Sequence, residues 1–292
     1  PIADGIKLFF KEDIIPEKAD KGLFFVSPII PLVTALISFI VVPIPSWDFL
    51  YRAVHISLHR FQGYHSISEL NIGIIYLLAV SAVGSYGIIL GGWASCSKYS
   101  LLGGLRASAQ VISYEIAVGL SLIGVMLLAG SANLSDIINA QHSSNNWFIR
   151  NIGYIVVQPL AFIIFLISAI AETNRAPFDM PEAESELVAG FATEYSGFRF
   201  ALFFMAEYIH MVMVGFLCAI CFFGGWYGVF PFLPPMINLL IKVYGVVFLF
   251  IWLRATLPRV RYDQLMGLGW KLLIPLAFIN IILTSIIKLV IE

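Results

Sequence analysis

Seven apolar stretches of about 20 residues divide this chain of 292 residues, and they constrain its fold more than any other feature. Only helices and closed barrels satisfy every backbone group inside a bilayer. With 12% charged residues and a mean hydropathy of +0.91, the chain is far more apolar than a soluble domain, in which roughly 25% of residues are charged. We therefore predict an all-α fold, a polytopic membrane helix bundle, with transmembrane helices at 24–42, 68–90, 107–129, 152–171, 200–223, 238–257 and 271–290.

Two local features refine this bundle. Small residues recur in the second and third spans and predict that these helices approach each other closely. Pro159 falls inside the fourth span, where the missing N–H of proline predicts a kink.

The chain is expected to form a single membrane domain, 1–292, with two parts at its cytoplasmic side. Of the 17 basic residues, twelve fall on one side of the spans, and the positive-inside rule makes that side cytoplasmic. The acidic loop 172–199 lies on the same side. Residues 1–22 are predicted to form an interfacial amphipathic helix and a linker, with a disordered tail as the alternative. Four apolar side chains share one stripe of that helix: Ile2, Ile6, Phe9 and Phe10.

Composition excludes several classes of function. The net charge of -1 gives no electrostatic basis for binding nucleic acid. The C-x-x-C formed by Cys218 and Cys221 lies inside an apolar span and has no second pair of ligands. Neither a dinucleotide-binding nor a Walker glycine motif occurs. We therefore predict no metal site, and no cofactor bound by this chain alone.

The loop at 172–199 is the most polar segment of the chain, and it is strongly acidic. Two arginines, Arg175 and Arg199, face six carboxylates: Glu172, Asp179, Glu182, Glu184, Glu186 and Glu194. Acid in the first turn of a helix capped by Asp179 would explain some of these groups, because it complements the helix dipole. It does not explain the like charges four residues apart at Glu182 and Glu186. Ionisable groups beside a bilayer indicate a functional site.

Two carboxylates lie within spans, and a third closes a span at the cytoplasmic surface. Glu115 and Glu207 each sit about eight residues into a helix that enters from that surface, roughly 12 Å deep at 1.5 Å per residue. Glu172 ends the fourth span above them. A charged group at the centre of a helix costs roughly 2.5–3.5 kcal/mol, so these three acids suggest a proton relay. The alternative is neutral, hydrogen-bonded glutamates that hold helices together. His210 follows Glu207 by three residues; it is expected to hydrogen-bond near it or to pack on the helix surface.

Several motifs of the chain resemble those of one known family. The most specific is A-E-T-N-R-A-P-F-D-M-P-E-A-E-S-E-L-V-A-G at 171–190, and S-K-Y-S-L-L-G-G-L-R-A-S-A-Q at 97–110 is also typical. The start, P-I-A-D-G-I-K-L-F-F-K-E, and shorter strings at 68–73, 206–208 and 261–271 match as well. The chain resembles the proximal membrane subunit of respiratory complex I, the NADH:quinone oxidoreductase, in its bacterial form and its mitochondrial counterpart. That family has one spanning helix more than the seven predicted here, and the missing one would precede Pro1.

The resemblance implies a role in a proton-pumping enzyme. Such a subunit forms the quinone-binding tunnel and the start of the proton pathway, with ubiquinone or menaquinone as substrate. FMN and the iron–sulfur clusters belong to hydrophilic partner subunits, and neighbouring membrane subunits complete the contacts. The resemblance places Glu115, Glu172 and Glu207 on the proton path. It assigns to the quinone tunnel and acidic loop Arg175, Asp179, Glu182, Glu184, Glu186, Glu194 and Arg199. A bacterial cell inner membrane, or alternatively a mitochondrial inner membrane, is the expected location.

Three other functions are compatible with the sequence. The homologous membrane subunit of a membrane-bound hydrogenase keeps similar loops and need not bind quinone. A secondary transporter would use the acidic loop as a vestibule, although no internal repeat supports that interpretation. A passive scaffold subunit would need the carboxylates for assembly alone.

Overall fold

The computed structural model describes residues 7–45, 70–144, 147–175, 177–179, 190–227 and 233–291. The regular elements in these ranges are helices: α1 (Lys21–Val26), α2 (Ile29–Ser38), α3 (Gly73–Ala94), α4 (Lys98–Ala129), α5 (Leu134–His142), α6 (Trp147–Ile152), α7 (Pro159–Glu172), α8 (Gly197–Cys221), α9 (Pro235–Thr256), α10 (Tyr262–Gly267) and α11 (Ile274–Ile291). Short 3-10 turns lie at Phe39–Val41 and Gly190–Ala192, and a π-helical segment, Leu268–Leu273, joins α10 to α11.

The prediction of an all-α, polytopic membrane bundle is confirmed. Within the described residues, six helical stretches are long and apolar enough to cross a membrane. Four are single helices, α3, α4, α8 and α9. The other two are composite stretches, Lys21–Val41 and Tyr262–Leu289.

The fourth predicted span is shorter than the sequence suggested. Helix α7 has only 14 residues, about 21 Å at 1.5 Å per residue, because the backbone before it is held in turns. Gly153 has a positive φ of 98°, Gln141 accepts the backbone N–H of Tyr154, and Ile155 N donates to Phe222 O at 3.1 Å. Pro159 therefore starts the helix, where its missing N–H costs least, and the kink predicted at this proline was wrong.

The N-terminal segment is described only from residue 7. Residues 7–10 are helical, and Phe9 and Phe10 are exposed. The linker that follows is attached to the start of α8, because Ile14 N donates to Ser196 Oγ at 3.0 Å. The interfacial position of 1–22 stays a prediction.

Helix α4 is the centre of the bundle and contacts α3, α7 and α11. The side chain of Tyr114 on α4 is fully buried, and its hydroxyl donates to Leu265 O at 2.8 Å, which ties α4 to α10. Helices α3 and α4 approach each other closely at Gly92, which lies just beyond the end of the second span predicted from the sequence. A Cβ at Gly92 would lie 2.9 Å from Ser100 O and 3.2 Å from Gly104 Cα. Only a residue without a side chain fits there.

Replacing Gly92 by alanine should destabilise the bundle. The added methyl meets backbone atoms on α4, so the two helices must separate, and overpacking of this kind costs about 1–3 kcal/mol. A lower thermal unfolding midpoint of the purified protein in mild detergent is the expected result. Gly245→Ala is the matched control, because nothing lies within 4 Å of a Cβ at that position. Equal unfolding midpoints for Gly92→Ala and Gly245→Ala would contradict the close contact between α3 and α4 at Gly92.

Candidate functional site

A cavity of about 100 Å³ lies between α2, α3, α4, α7 and α8. A cavity of this size has room for several water molecules. Most of its wall is apolar, but Glu172, Glu207, His210 and Ser81 also line it. Two of the three carboxylates predicted from the sequence to form a relay therefore line a space that can hold water.

Glu172 is the last residue of α7, and it pairs with a histidine on α8. The Oε1 atom of Glu172 lies 3.3 Å from Nε2 of His210, and the Glu172 side chain is only 5% exposed. This ion pair exists only when the imidazole is protonated. The sequence suggested a hydrogen bond of His210 near Glu207, and the structure instead gives the histidine a carboxylate from another helix.

Glu207, one turn earlier on α8, pairs with Arg175 of the acidic loop. Nη2 of Arg175 lies 3.1 Å from Oε2 of Glu207, and the guanidinium also covers the ring of Tyr208 at 4.4 Å. Arg175 is 4% exposed, and its N–H groups find no well-aligned hydrogen-bond acceptor among the described residues. The charge of Glu207 and the face of Tyr208 therefore stabilise the buried cation.

Glu115 lies on α4, facing α3. Its Oε1 atom accepts a hydrogen bond from Ser81 Oγ at 3.4 Å, and Glu115 lies close enough to Glu172 and His210 to interact with both electrostatically. Three carboxylates from three helices thus share one neighbourhood. They differ in their partners: an arginine for Glu207, a titratable histidine for Glu172 and a neutral hydroxyl for Glu115.

The loop between α7 and the 3-10 turn at Gly190–Ala192 is fixed to α4 by one buried amide. Nε2 of Gln110 donates to Ala171 O at 2.8 Å and to Phe178 O at 2.7 Å. Between these two anchors the backbone turns sharply, with Asn174 in the left-handed region at a φ of 50°. This anchored turn places Glu172 at the cavity and Arg175 beside Glu207. Asp179 follows the second anchor and is half-buried.

Arg199 belongs to a different cluster. Its Nε atom lies 2.9 Å from Oδ2 of Asp13, and its guanidinium lies over the rings of Phe24 and Phe25, at 5.3 Å from each. It therefore fastens the N-terminal linker to α8 and α1. Glu194 is half-buried in the turn before α8.

The described residues contain only part of the predicted acidic loop. The structure brings Glu115, Glu172, Glu207 and Arg175 together and leaves Arg199 apart. Three further candidates lie outside the described residues: Glu182, Glu184 and Glu186. Sequence reasoning missed the partners Ser81 and Asp13, since neither carries a motif and each meets its partner from a distant part of the chain. Within the described ranges, no group of three or more histidine, cysteine, aspartate or glutamate residues could hold a metal ion.

Comparison with known proteins gives a consistent result. A family model described as NADH dehydrogenase matches residues 1–285. The chain is 51% identical over 290 residues to an H subunit of the NADH-quinone oxidoreductase of Geobacter metallireducens, covering 98% of this chain and 82% of that protein. It is 50% identical to the corresponding H subunit of Syntrophotalea carbinolica, covering 98% of this chain and 81% of that protein. The H subunit of Thermomicrobium roseum is also 50% identical, with 99% of this chain and 82% of that protein covered.

Arg175→Gln should be strongly destabilising, because it leaves Glu207 without its cationic partner. Breaking a buried ion pair on one side costs about 3–5 kcal/mol, whereas removing both charges is often much less costly. The double variant Arg175→Gln, Glu207→Gln is therefore expected to recover part of the loss in thermal unfolding midpoint.

Arg261→Gln serves as the control for this experiment. Arg261 pairs with Asp263 at 3.5 Å, but the two side chains are 78% and 82% exposed, so the midpoint should hardly change. A double variant less stable than Arg175→Gln alone would contradict the assignment of Glu207 as the main partner.

Proposed function

The chain belongs to the NADH dehydrogenase family, as the H-type membrane subunit of an NADH-quinone oxidoreductase, and from this premise we propose what it does in that enzyme. It lines the path along which quinone reaches its reduction site, and it begins the path along which protons cross the membrane. The single observation that carries the proton path is the meeting of Glu115, Glu172 and Glu207 beside a cavity with room for water.

Charge balance supports this role. Arg175 is permanently charged and neutralises Glu207. Glu172 is neutralised only when its histidine partner carries a proton, and Glu115 has a hydroxyl as its partner. The total charge of the cluster therefore depends on how many protons it binds, which a purely structural set of ion pairs would not require.

Charge–charge interactions that are only weakly screened inside the protein would couple quinone reduction to the protonation of the glutamates. Reduction of a quinone adds two electrons and requires two protons, so an anionic headgroup is the natural trigger. Unit charges about 8 Å apart interact by roughly 2 kcal/mol at an effective dielectric constant of 20, against roughly 0.5 kcal/mol in bulk water. Coupled carboxylates titrate as a group, so a new charge beside one of them shifts protons on the others.

The quinone path involves the acidic loop and the cluster around Arg199. The guanidinium of Arg199 and the exposed ring of Phe25 combine a cation with flat apolar surface, which suits a quinone headgroup. On the family's pattern, Arg175, Asp179 and Glu194 belong to the same surface, together with the loop residues Glu182, Glu184 and Glu186.

The electrons come from outside this chain. FMN and iron–sulfur clusters in hydrophilic partner subunits supply them, and neighbouring membrane subunits continue the proton path. Residues 1–292 act as one membrane domain, whose segment 1–22 lies on the cytoplasmic interface. The bacterial sources of the relatives favour a bacterial inner membrane as the location.

Glu115→Gln in the assembled complex should abolish most proton pumping. Loss of a positioned proton carrier typically costs at least tenfold, so NADH-driven acidification of proteoliposomes and quinone-linked turnover should fall by about that factor or more. NADH oxidation by a water-soluble artificial acceptor, which bypasses the membrane, should not change. The control is Asp136→Asn at the start of α5, an exposed carboxylate remote from the cavity. Undiminished pumping by Glu115→Gln would refute the proton path.

Arg199→Gln should raise the KM for quinone more than it lowers kcat. A hydrogen bond to a charged group contributes about 1.5–3 kcal/mol, which corresponds to roughly a tenfold or greater change in KM when binding alone is affected. Arg259→Gln, at an exposed arginine after α9, is the matched control. An unchanged KM would remove Arg199 from the quinone path. If Arg199→Gln and Asp13→Asn both lowered the amount of assembled complex to the same extent, the main role of Arg199 would be its ion pair with Asp13.

A further inference from the structure

His210 interacts with both Glu172 and Glu115, and the proton path through the three glutamates leaves it without a role. It lines the cavity together with Glu172, Glu207 and Ser81. Its Nε2 atom lies 3.3 Å from Glu172 Oε1, and its side chain is 23% exposed, so it also borders open space. A histidine that served only to fill the helix surface would not need a buried carboxylate at this distance.

Among the described residues, charged groups lie near this imidazole on α7, α4 and its own helix, whereas α2 and α3 line the cavity with apolar and hydroxyl side chains. Glu172 faces it from α7, Glu115 from α4, and Glu207 lies one turn away on its own helix with its partner Arg175. Three acids and one permanent cation leave the cluster short of positive charge. Among the described residues around this cavity, a second cation is present only when His210 binds a proton.

A free histidine side chain titrates near pH 6.5, whereas free glutamate and arginine titrate far from neutrality. His210 is therefore the member of this cluster whose ordinary chemistry is to gain and lose a proton under physiological conditions. Its pairing with Glu172 gives the bound proton a defined position, because the carboxylate accepts from Nε2.

We propose that His210 is itself a proton carrier, which receives a proton by way of Glu172 and delivers it to Glu115. This inference rests on the proposed proton path and adds a histidine to it. In the delivery step the Nε2–H bond breaks, and the proton crosses the cavity to Ser81, whose hydroxyl lines the cavity and bonds Glu115. The Ser81 hydroxyl passes its own proton to an oxygen of Glu115 and takes up the incoming one, and His210 is left neutral. In the loading step a proton from the side of the acidic loop passes through Glu172 to Nε2, and the ion pair with Glu172 forms again. Each step moves one proton and no electrons.

The test is His210→Gln in the assembled complex, reconstituted in proteoliposomes. Glutamine keeps an N–H donor for Glu172 and cannot carry a proton near neutral pH, so it separates hydrogen bonding from proton transfer. We expect at least a tenfold loss of quinone-linked turnover and pumping at pH 7, with NADH oxidation by the artificial acceptor retained. If His210 carries the proton, turnover of the unmodified complex should titrate between pH 5 and 8, and the remaining turnover of the variant should lack that titration. His142→Gln is the matched control, because His142 stacks on Tyr227 at 3.9 Å and does not line the cavity.

A double variant, His210→Gln with Glu172→Gln, tests whether the two residues act as a unit. The losses should be strongly non-additive, with the double variant about as slow as the slower single variant. If His210→Gln does not assemble, His210→Asn provides the same test with a shorter amide.

The outcomes distinguish this inference from the proposal on which it rests. Normal turnover and an unchanged pH profile for His210→Gln, together with a severe loss for Glu115→Gln, would overturn the carrier role and leave the proton path standing. Normal function of both variants would overturn both. In the first case, a severe loss for His210→Ala beside normal turnover for His210→Gln would show that His210 only positions Glu172.

Discussion

The ion pair between Arg175 and Glu207 is the contact on which the arrangement of the site depends. A guanidinium that is 4% exposed inside a membrane protein must have an anionic partner, and Glu207 on α8 provides it. The pair joins the end of α7 to α8, and it brings the next turn of α8, which carries His210, against Glu172. Because Arg175 pairs with Glu207, Glu172 is left with a titratable histidine and Glu115 with a neutral hydroxyl.

The helices were predictable because the bilayer imposes the same requirement on every span. A run of apolar residues long enough to cross the membrane has few alternatives to helix, so six of the seven predicted stretches appear as long helical stretches, four of them single helices. The exception is the stretch before Pro159. There Gly153 adopts a left-handed conformation, and Gln141 and Phe222 take over backbone hydrogen bonds that a helix would have made. Those partners come from other helices, and hydropathy contains no information about them.

The site was only partly predictable, for a related reason. The acids stood out because charge is rare in an apolar chain, and depth along each helix placed Glu115 and Glu207 at a similar level. The partner of each acid depends on how each helix is rotated about its axis and on which helix lies beside it. Residue spacing alone gives neither. Spacing along α8 therefore associated His210 with Glu207, whereas packing against α7 gave the histidine to Glu172. The partnership of Asp13 with Arg199 joins residues from distant parts of the sequence.

The two hydrogen bonds donated by Gln110 couple the backbone of the acidic loop to α4. One amide nitrogen grips the carbonyls on both sides of the turn that carries Arg175, while the carboxylate of Glu115 lies five residues further along the same helix, about 7.5 Å away along its axis. If a bound molecule displaced this loop, the two hydrogen bonds of Gln110 would transmit the displacement directly to α4. A movement of the loop, transmitted through Gln110, would therefore act on the same part of α4 as the charge of a reduced quinone headgroup. Glu115 would respond to both.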